Sequence, residues 1–372
     1  MDKSSIHKAI SIIDPVGGHG GMDYYDYGLA YGLGSNGVTV NYYTCNKTMF
    51  RSFDNVETKN VFENVWDKKS FNKLYSFLRG YLKAFKDARL NKSDILHFQF
   101  FSLGNLNLIV LSLAYWFKQK KIVTLHDIES FHKGNSKLVS KLCLKLIDGI
   151  IVHNQFSKAE FEKNFNFNGE ITIIPHGNYL PFVEPQILSS KSPRINILFF
   201  GQIKAVKGVD VLLDAMAKVV VKSDKFHLTI AGRPWKTTAM NYENKIKELG
   251  LSSHVTTHFR YIKDEEVEQF YKNADIVVMP YKKIYQSGVL LLSLSYGRTV
   301  IVSNLTPFTE VVTHNTNGFV FKSEDSLDLA NCILGLNKEK IRKVTSNSKE
   351  LIEDKYDWLK IGLKTNKFYN SL

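Results

Sequence analysis

Short runs of β-branched and aromatic residues alternate with helix-length amphipathic segments along almost the whole chain. The strand-like runs fall at residues 9–13, 38–43, 95–101, 122–125, 149–152 and 171–174, and then at 195–200, 227–231, 255–259, 276–279, 300–302 and 319–321. Strands that alternate with helices are typical of βαβ units and parallel sheets. Because the series occurs twice, it predicts an α/β chain with two doubly wound, Rossmann-like domains.

A cluster of prolines marks the boundary between the two predicted domains. Four of the eight prolines stand between residues 175 and 193, with three serines among them. This composition favours a linker at about 178–193. We therefore predict an N-terminal domain over 1–180 and a C-terminal domain over 194–350. A last helix over 351–372 is predicted to pack back on the N-terminal domain.

The chain is strongly basic, with 49 Lys and Arg against 36 Asp and Glu and a net charge of +13. This surplus favours an anionic partner: a nucleic acid, a membrane surface or a phosphorylated ligand. The three cysteines show no pairing or zinc-binding pattern, which fits a reducing cytoplasm. The first residues lack the apolar core of a signal peptide. The uncharged stretch 95–117 is interrupted by polar residues and is predicted to be buried core rather than a transmembrane helix.

A glycine-rich loop follows the first predicted strand and precedes a helix. It reads Asp14-Pro15-Val16-Gly17-Gly18-His19-Gly20-Gly21. Glycines let a backbone approach a ligand closely, and a helix N-terminus favours an anion. A plain turn is the alternative. The dinucleotide fingerprint would need a small residue where Asp23 stands, and no Walker lysine is present, which excludes the NAD and P-loop interpretations.

Histidines follow three strands of the predicted first domain. His126 and Asp127 come directly after the strand at 122–125, at an edge where parallel sheets bind ligands. Such a pair can contact a sugar or stabilise developing charge, or it can cap the next element. His153 and His176 also follow strands, and for these two a structural role is favoured.

The second predicted domain carries basic, small and polar residues at the same edge of its sheet. They are Gln202, Lys204 and Lys207 after its first strand, Gly232 after the second, Arg260, Tyr261 and Ile262 after the third, and Gln286, Ser287, Gly288 and Val289 at the start of a later helix. Two lysines between a strand and a helix N-terminus suit a diphosphate. Solvated loops and plain helix caps are the alternatives.

Together these motifs resemble those of the GT-B glycosyltransferases of family 4. The similar stretches are the loop from Gly201 to Gly208, the strand end Ala231-Gly232, and residues 273–280 and 297–303; the glycine loop and His126-Asp127 are similar to features of the family's acceptor domain. The resemblance covers most of residues 8–335. It implies two domains that face each other across a cleft and transfer a sugar from a nucleotide-sugar donor. It implies no cofactor, because the nucleotide sugar is a substrate. It also implies no metal.

The resemblance also implies roles for individual residues. Lys207 would hold the donor diphosphate with help from amides near Ser287, Gly288 and Val289. His126 and Asp127 would lie at the reaction centre, Gly17 and Gly18 would approach the donor, and His19 and Gly20 would contact the acceptor. The rest of the donor site would comprise Gln202, Lys204, Gly232, Arg260, Tyr261, Ile262 and Gln286.

Three positions depart from the family pattern. The usual arginine after the loop glycine is Gln202, and Lys204 would supply its charge. The two glutamates that the family places eight residues apart correspond to Ile284 and Leu292. Gln286 and Ser287 would take over part of their binding. Retention of anomeric configuration is the expected outcome, with a UDP-sugar favoured as donor and GDP-mannose next.

The segment 67–92 combines eight Lys and Arg with leucines and aromatic residues at helical spacing. A helix of this kind binds an anionic membrane surface, or it is an ordinary amphipathic helix with a solvated basic face. Membrane docking would suit a lipid-linked acceptor. We therefore expect a cytoplasmic protein that is peripheral on the inner face of the membrane.

The favoured function is that of a hexosyltransferase in surface polysaccharide or glycolipid synthesis. A GT-B-fold sugar-nucleotide epimerase is one alternative, and it would need no acceptor. An inactive nucleotide-binding paralogue is a second, motivated by the missing glutamates. A basic nucleic-acid-binding protein is a third, but no recognition motif is found and no nucleic acid partner is expected.

Overall fold

The chain divides into two compact units. The first comprises the residues up to Gly177 together with Tyr356–Leu372, and the second comprises Asn178–Lys355. The structure is a computed structural model that describes residues 9–18, 21–63, 70–127, 136–185 and 194–372.

Seven parallel strands form the sheet of the first unit. They are β1 (Ala9–Ile13), β2 (Thr39–Cys45), β3 (Val56–Phe62), β4 (Ile95–Phe100), β5 (Lys120–Leu125), β6 (Gly149–Val152) and β7 (Glu170–Ile173). Their order is β3-β2-β1-β4-β5-β6-β7. Every residue of β1, β4 and β6 is buried, because helices cover both faces of a parallel sheet. The order reverses between β1 and β4, and a ligand crevice is expected beyond the carboxyl ends of these two strands.

The helices of the first unit include one from the end of the chain. They are α1 (Gly21–Ser35), α2 (Ser70–Leu90), α3 (Asn105–Tyr115), α4 (Lys137–Leu144), α5 (Gln155–Asn164) and the C-terminal α13 (Trp358–Ser371). Glycines allow α13 to approach α1 closely. A Cβ atom on Gly28 would overlap the Trp358 ring, and one on Gly32 would overlap the Trp358 carbonyl oxygen.

Six strands form the sheet of the second unit. They are β8 (Ile195–Phe200), β9 (Phe226–Ala231), β10 (Val255–His258), β11 (Ile276–Met279), β12 (Thr299–Ser303) and β13 (Phe319–Phe321). All neighbours are parallel in the order β10-β9-β8-β11-β12-β13. This order reverses between β8 and β11, so the loops after these strands border the corresponding crevice.

Seven α-helices among the described residues of the second unit connect these strands or follow them. They are α6 (Val209–Val220), α7 (Ala239–Glu248), α8 (Asp264–Asn273), α9 (Gly288–Ser295), α10 (Thr306–Thr309), α11 (Ser326–Leu334) and α12 (Lys338–Asp354). A short 3₁₀-helix at Ala205–Lys207 lies directly before α6. Asp357 caps the next helix, α13, by accepting the backbone N–H groups of Leu359 and Lys360.

The unit boundaries differ from the predicted ones. Asn178 donates a side-chain hydrogen bond to the carbonyl of Ile352, and the Tyr179 N–H donates to the hydroxyl of Ser295, each at 2.9 Å. Residues 178–185 therefore belong to the second unit rather than to a linker, and 186–193 lie outside the described residues. Residues 351–355 also belong to the second unit, and only 356–372 join the first.

The sequence pattern missed one strand, β3. This edge strand reads VETKNVF, and most of its residues are partly exposed. An edge strand of this kind lacks the continuous apolar run that marks a central strand of a parallel sheet. The stretch 95–117 contains β4, which is buried throughout, and α3, which buries only one face, so the prediction of buried core holds for β4 and not for the whole stretch. In the described part of the chain, no helix is long and apolar enough to cross a membrane.

The close packing of α13 on α1 predicts that Gly32→Ala is destabilising. The added methyl must push the Trp358 backbone away, and overpacking of this kind costs about 1–3 kcal/mol. Denaturant unfolding would measure the loss. Gly21→Ala is the matched control, because no atom lies within 4 Å of a Cβ at this first residue of α1. An unfolding midpoint for Gly32→Ala equal to that of the control would contradict the packing.

Candidate active site

The loop after β8 is held against its neighbours at two glycines. Gly208 adopts a left-handed conformation with φ 66° at the N-cap of α6. A Cβ atom there would overlap the carbonyl oxygen of Pro280, which follows β11. At the other end of the loop, Gly201 has φ 110°. A side chain at Gly208 would force this loop away from the carboxyl end of β11.

Gly232 lets the loop after β9 lie directly on the loop after β8. Its φ is 154°, and a Cβ atom would overlap the Gly201 carbonyl oxygen. The N–H of Ile203 donates to the carbonyl of Arg233 at 3.0 Å, and the Trp235 N–H donates back to the Ile203 carbonyl at 2.8 Å. The two loops therefore form one continuous backbone surface at the crevice.

Lys207 stands where this surface meets the end of β11. Its ammonium lies 3.6 Å from the ring centroid of Tyr281, a cation–π contact. Burial, together with the nearby Lys204 ammonium, lowers the pKa of Lys207 to about 7. The site therefore holds a cation whose charge is only partly stabilised by the protein, and an anionic ligand would stabilise it further.

The N-terminus of α9 reaches the same place. The Ser287 side chain caps this helix by accepting the Leu290 N–H at 3.2 Å. Val289 Cγ2 would lie 3.5 Å from a Cβ atom on Gly201. The first turn of a helix has N–H groups without partners inside the helix, and these attract anions. The structure thus brings together Gly201, Lys207, Gly232, Ser287 and Val289.

Gln286 precedes this helix as a half-buried residue. Its Oε1 atom is buried and has no hydrogen-bond partner among the residues that the structure describes. Ile284 and Leu292, at the positions of the family glutamates, are half-buried, and no Asp or Glu occurs anywhere from residue 276 to residue 309. Any carboxylate-dependent binding of a donor hydroxyl at this helix is therefore lost, and Gln286 offers a neutral acceptor instead.

The remaining donor candidates are less closely grouped. Gln202 is exposed and Lys204 is half-buried. The Arg260 guanidinium donates to both carboxylate oxygens of Glu266, and so it is engaged within its own loop and α8. Tyr261 is exposed and Ile262 is buried. Their contribution to donor binding stays a prediction.

In the first unit, the glycine loop is anchored by Asp23. The Gly18 N–H donates to both oxygens of this carboxylate, at 3.0 and 3.2 Å, and Gly18 has φ 77°. A Cβ atom on Gly17 would overlap the Thr48 hydroxyl. The Gly18 N–H is therefore already bonded to Asp23. It is not free to donate a hydrogen bond to a nucleotide-sugar donor, as the predicted role of Gly18 would require. His19 and Gly20 lie outside the described residues.

Two further carboxyl groups lie buried beneath this loop. Asp14 accepts the Val16 N–H at 3.0 Å, and Asp26 accepts the Tyr42 hydroxyl at 3.1 Å. Burial and the neighbouring Asp14 raise the pKa of Asp26 well above its usual range, which favours the protonated carboxyl group. Sequence reasoning missed Asp26, because its helical position gives no sign that it meets a loop residue.

Three histidines meet around Tyr25 in the first unit. The Tyr25 ring centroid lies 4.8 Å from that of His126, 5.2 Å from that of His153 and 5.1 Å from that of His176. Burial is the largest cause of their lowered pKa values: that of His126 falls well below its usual value, that of His153 to about 3 and that of His176 to about 4. All three rings are therefore neutral near pH 7. Asp127, which directly follows His126 in the sequence, is half-buried.

No group of three or more His, Cys, Asp or Glu side chains within the described ranges is arranged to hold a metal ion. Metal independence stays a prediction. The three cysteines, Cys45, Cys143 and Cys332, are free thiols.

Two parallel sheets with interleaved helices, each with a reversal of strand order, are the two Rossmann-like domains of a GT-B glycosyltransferase. Residues 19–178 match the model of Glycosyltransferase Family 4, and residues 194–339 match that of Glycosyl transferases group 1. The chain belongs to the GT-B glycosyltransferases that resemble family 4.

Similar proteins share this architecture. The chain is 27% identical over 191 residues to the GDP-mannose:glycolipid 4-beta-D-mannosyltransferase of Xanthomonas campestris pv. campestris, a match that covers 51% of this chain and 52% of the relative. The chain thus matches about half the length of this relative. Sucrose-phosphate synthase of Thermosynechococcus elongatus is similar with a TM-score of 0.77, 20% identity and 98% coverage of both chains. HepE of Anabaena, solved with UDP and glucose, has a TM-score of 0.74 and 18% identity, with 98% of this chain and 100% of HepE covered.

The lowered pKa of Lys207 predicts proton uptake when a nucleoside diphosphate binds. The free amine is half-protonated near pH 7, whereas a bound diphosphate favours the ammonium and raises its pKa. Affinity should therefore fall as the pH rises above 7. Calorimetry of UDP binding at about pH 8 in two buffers of different ionisation enthalpy measures this uptake. Lys207→Arg should abolish it, because arginine stays charged; buffer-independent heats for the unsubstituted chain would contradict the prediction.

Proposed function

We propose that this chain transfers a sugar from a nucleotide-diphosphate sugar to a saccharide or lipid-linked acceptor in surface polysaccharide or glycolipid synthesis. The observation that carries the proposal is the position of Lys207 over Tyr281, in a loop whose Gly201 lies against Val289 in the first turn of α9. A cation and a helix N-terminus converge there, as binding of a diphosphate requires. Membership in the glycosyltransferase family supports the same function.

The proposed chemistry is loss of the nucleoside diphosphate as the acceptor hydroxyl attacks the anomeric carbon. The Lys207 ammonium and the N–H groups of α9 stabilise the charge that develops on the leaving diphosphate. The outcome we propose is retention of anomeric configuration, supported by the family resemblance alone. The NMR coupling constant of the anomeric proton in the product, formed from a donor of known configuration, tests it.

A UDP-sugar is the proposed donor, with GDP-mannose as the alternative. HepE was solved with UDP, and the Xanthomonas relative is named for GDP-mannose. Because residues 276–309 contain no carboxylate, we assign binding of a donor hydroxyl to the unpartnered Gln286 Oε1. Gln286→Leu should weaken the binding of UDP-glucose, and wild-type affinity would remove Gln286 from the site.

Binding and turnover of candidate donors test this function. UDP, GDP, ADP, CMP and dTDP are compared by thermal shift, each with and without magnesium, and the stabilising nucleotide defines the donor for acceptor screens. Lys207→Ala should weaken diphosphate binding about 10- to 100-fold, as expected for a lost charged hydrogen bond. Lys222→Ala, an exposed lysine of the same unit, is the matched control. Equal binding by both variants, or no stabilisation by any nucleotide, would contradict the proposal.

The absence of carboxylates at residues 276–309 also favours a second candidate, a nucleotide-binding paralogue without transferase activity. Such a protein would be stabilised by one diphosphate in the same panel. It would release no nucleotide from the corresponding donor sugar with any acceptor. The two candidates therefore differ in turnover and not in binding.

We further propose that the first unit docks on an anionic membrane through α2, α3 and α4. Tyr75, Leu82 and Leu90 are 66%, 37% and 79% exposed on α2, and they alternate with the exposed cations Arg79, Lys83, Lys86 and Arg89. The opposite face of α2 is buried. Residues 67–69, at the start of the predicted basic segment, lie outside the described residues.

Neighbouring helices extend this surface. Leu106 and Ile109 of α3 and Leu138 and Leu142 of α4 are exposed apolar residues. No Asp or Glu occurs between residues 95 and 126 or between 136 and 147. Exposed apolar residues among cations are the composition that binds an anionic lipid surface. A cytoplasmic, peripheral location follows from this proposal and stays a prediction.

Charge reversal on α2 tests the docking proposal. Lys83→Glu with Lys86→Glu should reduce co-sedimentation with phosphatidylglycerol-containing vesicles at low salt, because each lysine near the surface contributes about 1 kcal/mol. Lys343→Glu with Lys349→Glu on α12 gives the same net charge in the second unit and is the control. Equal losses in both variants, or no binding by the unsubstituted chain, would contradict docking through the first unit.

A further inference from the structure

Both ring nitrogens of His126 have protein partners. His126, these two partners and one further backbone carbonyl form a chain of four groups. His126 Nδ1 lies 3.2 Å from His153 Nε2, and His153 Nδ1 lies 3.0 Å from the carbonyl oxygen of Ile174. On the other side, His126 Nε2 lies 2.9 Å from the side-chain oxygen Oε1 of Gln99, on β4. We call the series Ile174, His153, His126 and Gln99 the histidine chain.

The carbonyl of Ile174 determines the direction of every hydrogen bond in this chain. A carbonyl oxygen only accepts, so His153 Nδ1 carries a proton and donates it. The His153 ring is neutral, and its Nε2 therefore has a lone pair. His126 must then donate from Nδ1 to this lone pair. Because His126 is also neutral, its Nε2 has no proton and accepts.

The side-chain amide of Gln99 completes the series. A lone pair on His126 Nε2 needs a donor, which is the NH₂ group of Gln99. In the structure the Gln99 oxygen faces this lone pair, and its nitrogen has no partner among the described residues. Oxygen and nitrogen of such an amide are assigned from the hydrogen-bond network. The orientation with NH₂ toward His126 is the one that the histidine chain requires.

Neighbouring rings hold His126 in this orientation. Phe101 stacks on it with ring centroids 5.1 Å apart and an interplanar angle of 28°. Tyr25 presents its ring at 89° to that of His126. A rotation that exchanged the two ring nitrogens would have to displace these aromatic contacts. His176 and His97 are two further titratable groups near His126, and both are buried.

We infer that Gln99 and His153 are positioning residues that hold His126 as the neutral imidazole protonated at Nδ1, with Nε2 as a hydrogen-bond acceptor for a sugar hydroxyl. The last clause rests on the proposed function. In this arrangement His126 orients a substrate hydroxyl, which donates to Nε2 in place of the Gln99 amide. It does not supply a proton to the leaving group.

The protonation state is measured by long-range ¹H–¹⁵N correlation spectra of the full chain with labelled histidine. A spectrum of His126→Gln identifies the signals that belong to His126. The expected pattern is a neutral ring with the proton on Nδ1 near pH 7. A proton on Nε2, or on both nitrogens, would overturn the inference. This measurement needs no substrate, so its outcome is separate from the success of the proposed function.

Substitutions of Gln99 test the same state through activity. Gln99→Glu places an acceptor against Nε2 and draws a proton onto it, so the NMR signature should change and kcat should fall about tenfold, the effect of one lost hydrogen bond. KM for the donor should change less than kcat. Gln119→Met is the control, since Gln119 is a buried glutamine of the same unit outside the histidine chain. Unchanged kcat and NMR signature in Gln99→Glu would overturn the positioning role.

Substitutions of His153 separate positioning from packing. His153→Leu fills the space but accepts no hydrogen bond, so His126 loses the partner of its Nδ1 proton. His153→Gln restores an acceptor oxygen. We expect kcat and the Nδ1–H signature to be lost in the first variant and largely recovered in the second. Equal kcat in both variants would show that His153 only fills space.

Discussion

The contact of Trp358 with two glycines is the interaction on which the first unit depends. A Cβ atom on Gly28 or Gly177 would overlap the indole ring, so the ring occupies space that only glycine leaves open. A tryptophan buries about 150–250 Å² and contributes correspondingly to stability. Its ring centroid lies 5.6 Å from that of Tyr25, the residue around which three histidines gather. The last helix of the chain therefore supports side chains that the first half of the chain supplies.

The second unit depends on close backbone approach in a similar way. Gly201, Gly208 and Gly232 remove the side chains that would separate the loops after β8, β9 and β11. The resulting backbone surface borders Lys207. Within the described ranges no carboxylate pairs with this half-buried lysine, so its charge is incompletely stabilised, and burial together with Lys204 lowers its pKa. Closely packed loops around such a cation are suited to binding an anion.

The two units handle charge in opposite ways. The second unit offers a cation and a helix N-terminus, which suit an anionic leaving group. The first offers neutral imidazoles, the Asp26 carboxyl group with its raised pKa and an amide at Gln99, all deeply buried. Neutral groups in a low-dielectric setting orient hydroxyl groups without attracting an ion. This difference fits the proposed division between a donor diphosphate and the reacting sugar, and it gives the buried histidines a role that does not require them to titrate.

By itself the sequence determined the class of fold and the position of nearly every strand, because parallel sheets need continuous apolar runs and these are local. It also indicated that Gly201, Lys207 and Gly232 lie in loops after strands, since the apolar runs that precede them end there. It did not reveal β3, which pairs with β2 at the edge of the sheet and has no apolar run. It also did not reveal the place of residues 178–185, because the hydrogen-bond partners of Asn178 and Tyr179 lie more than 100 positions away. Only the tertiary structure decided which candidate site residues already have hydrogen-bond partners within the protein. Arg260 pairs with Glu266, Gly18 is tied to Asp23, and His126 lies between Gln99 and His153. Local pattern specifies elements, whereas hydrogen-bond partners depend on how those elements pack.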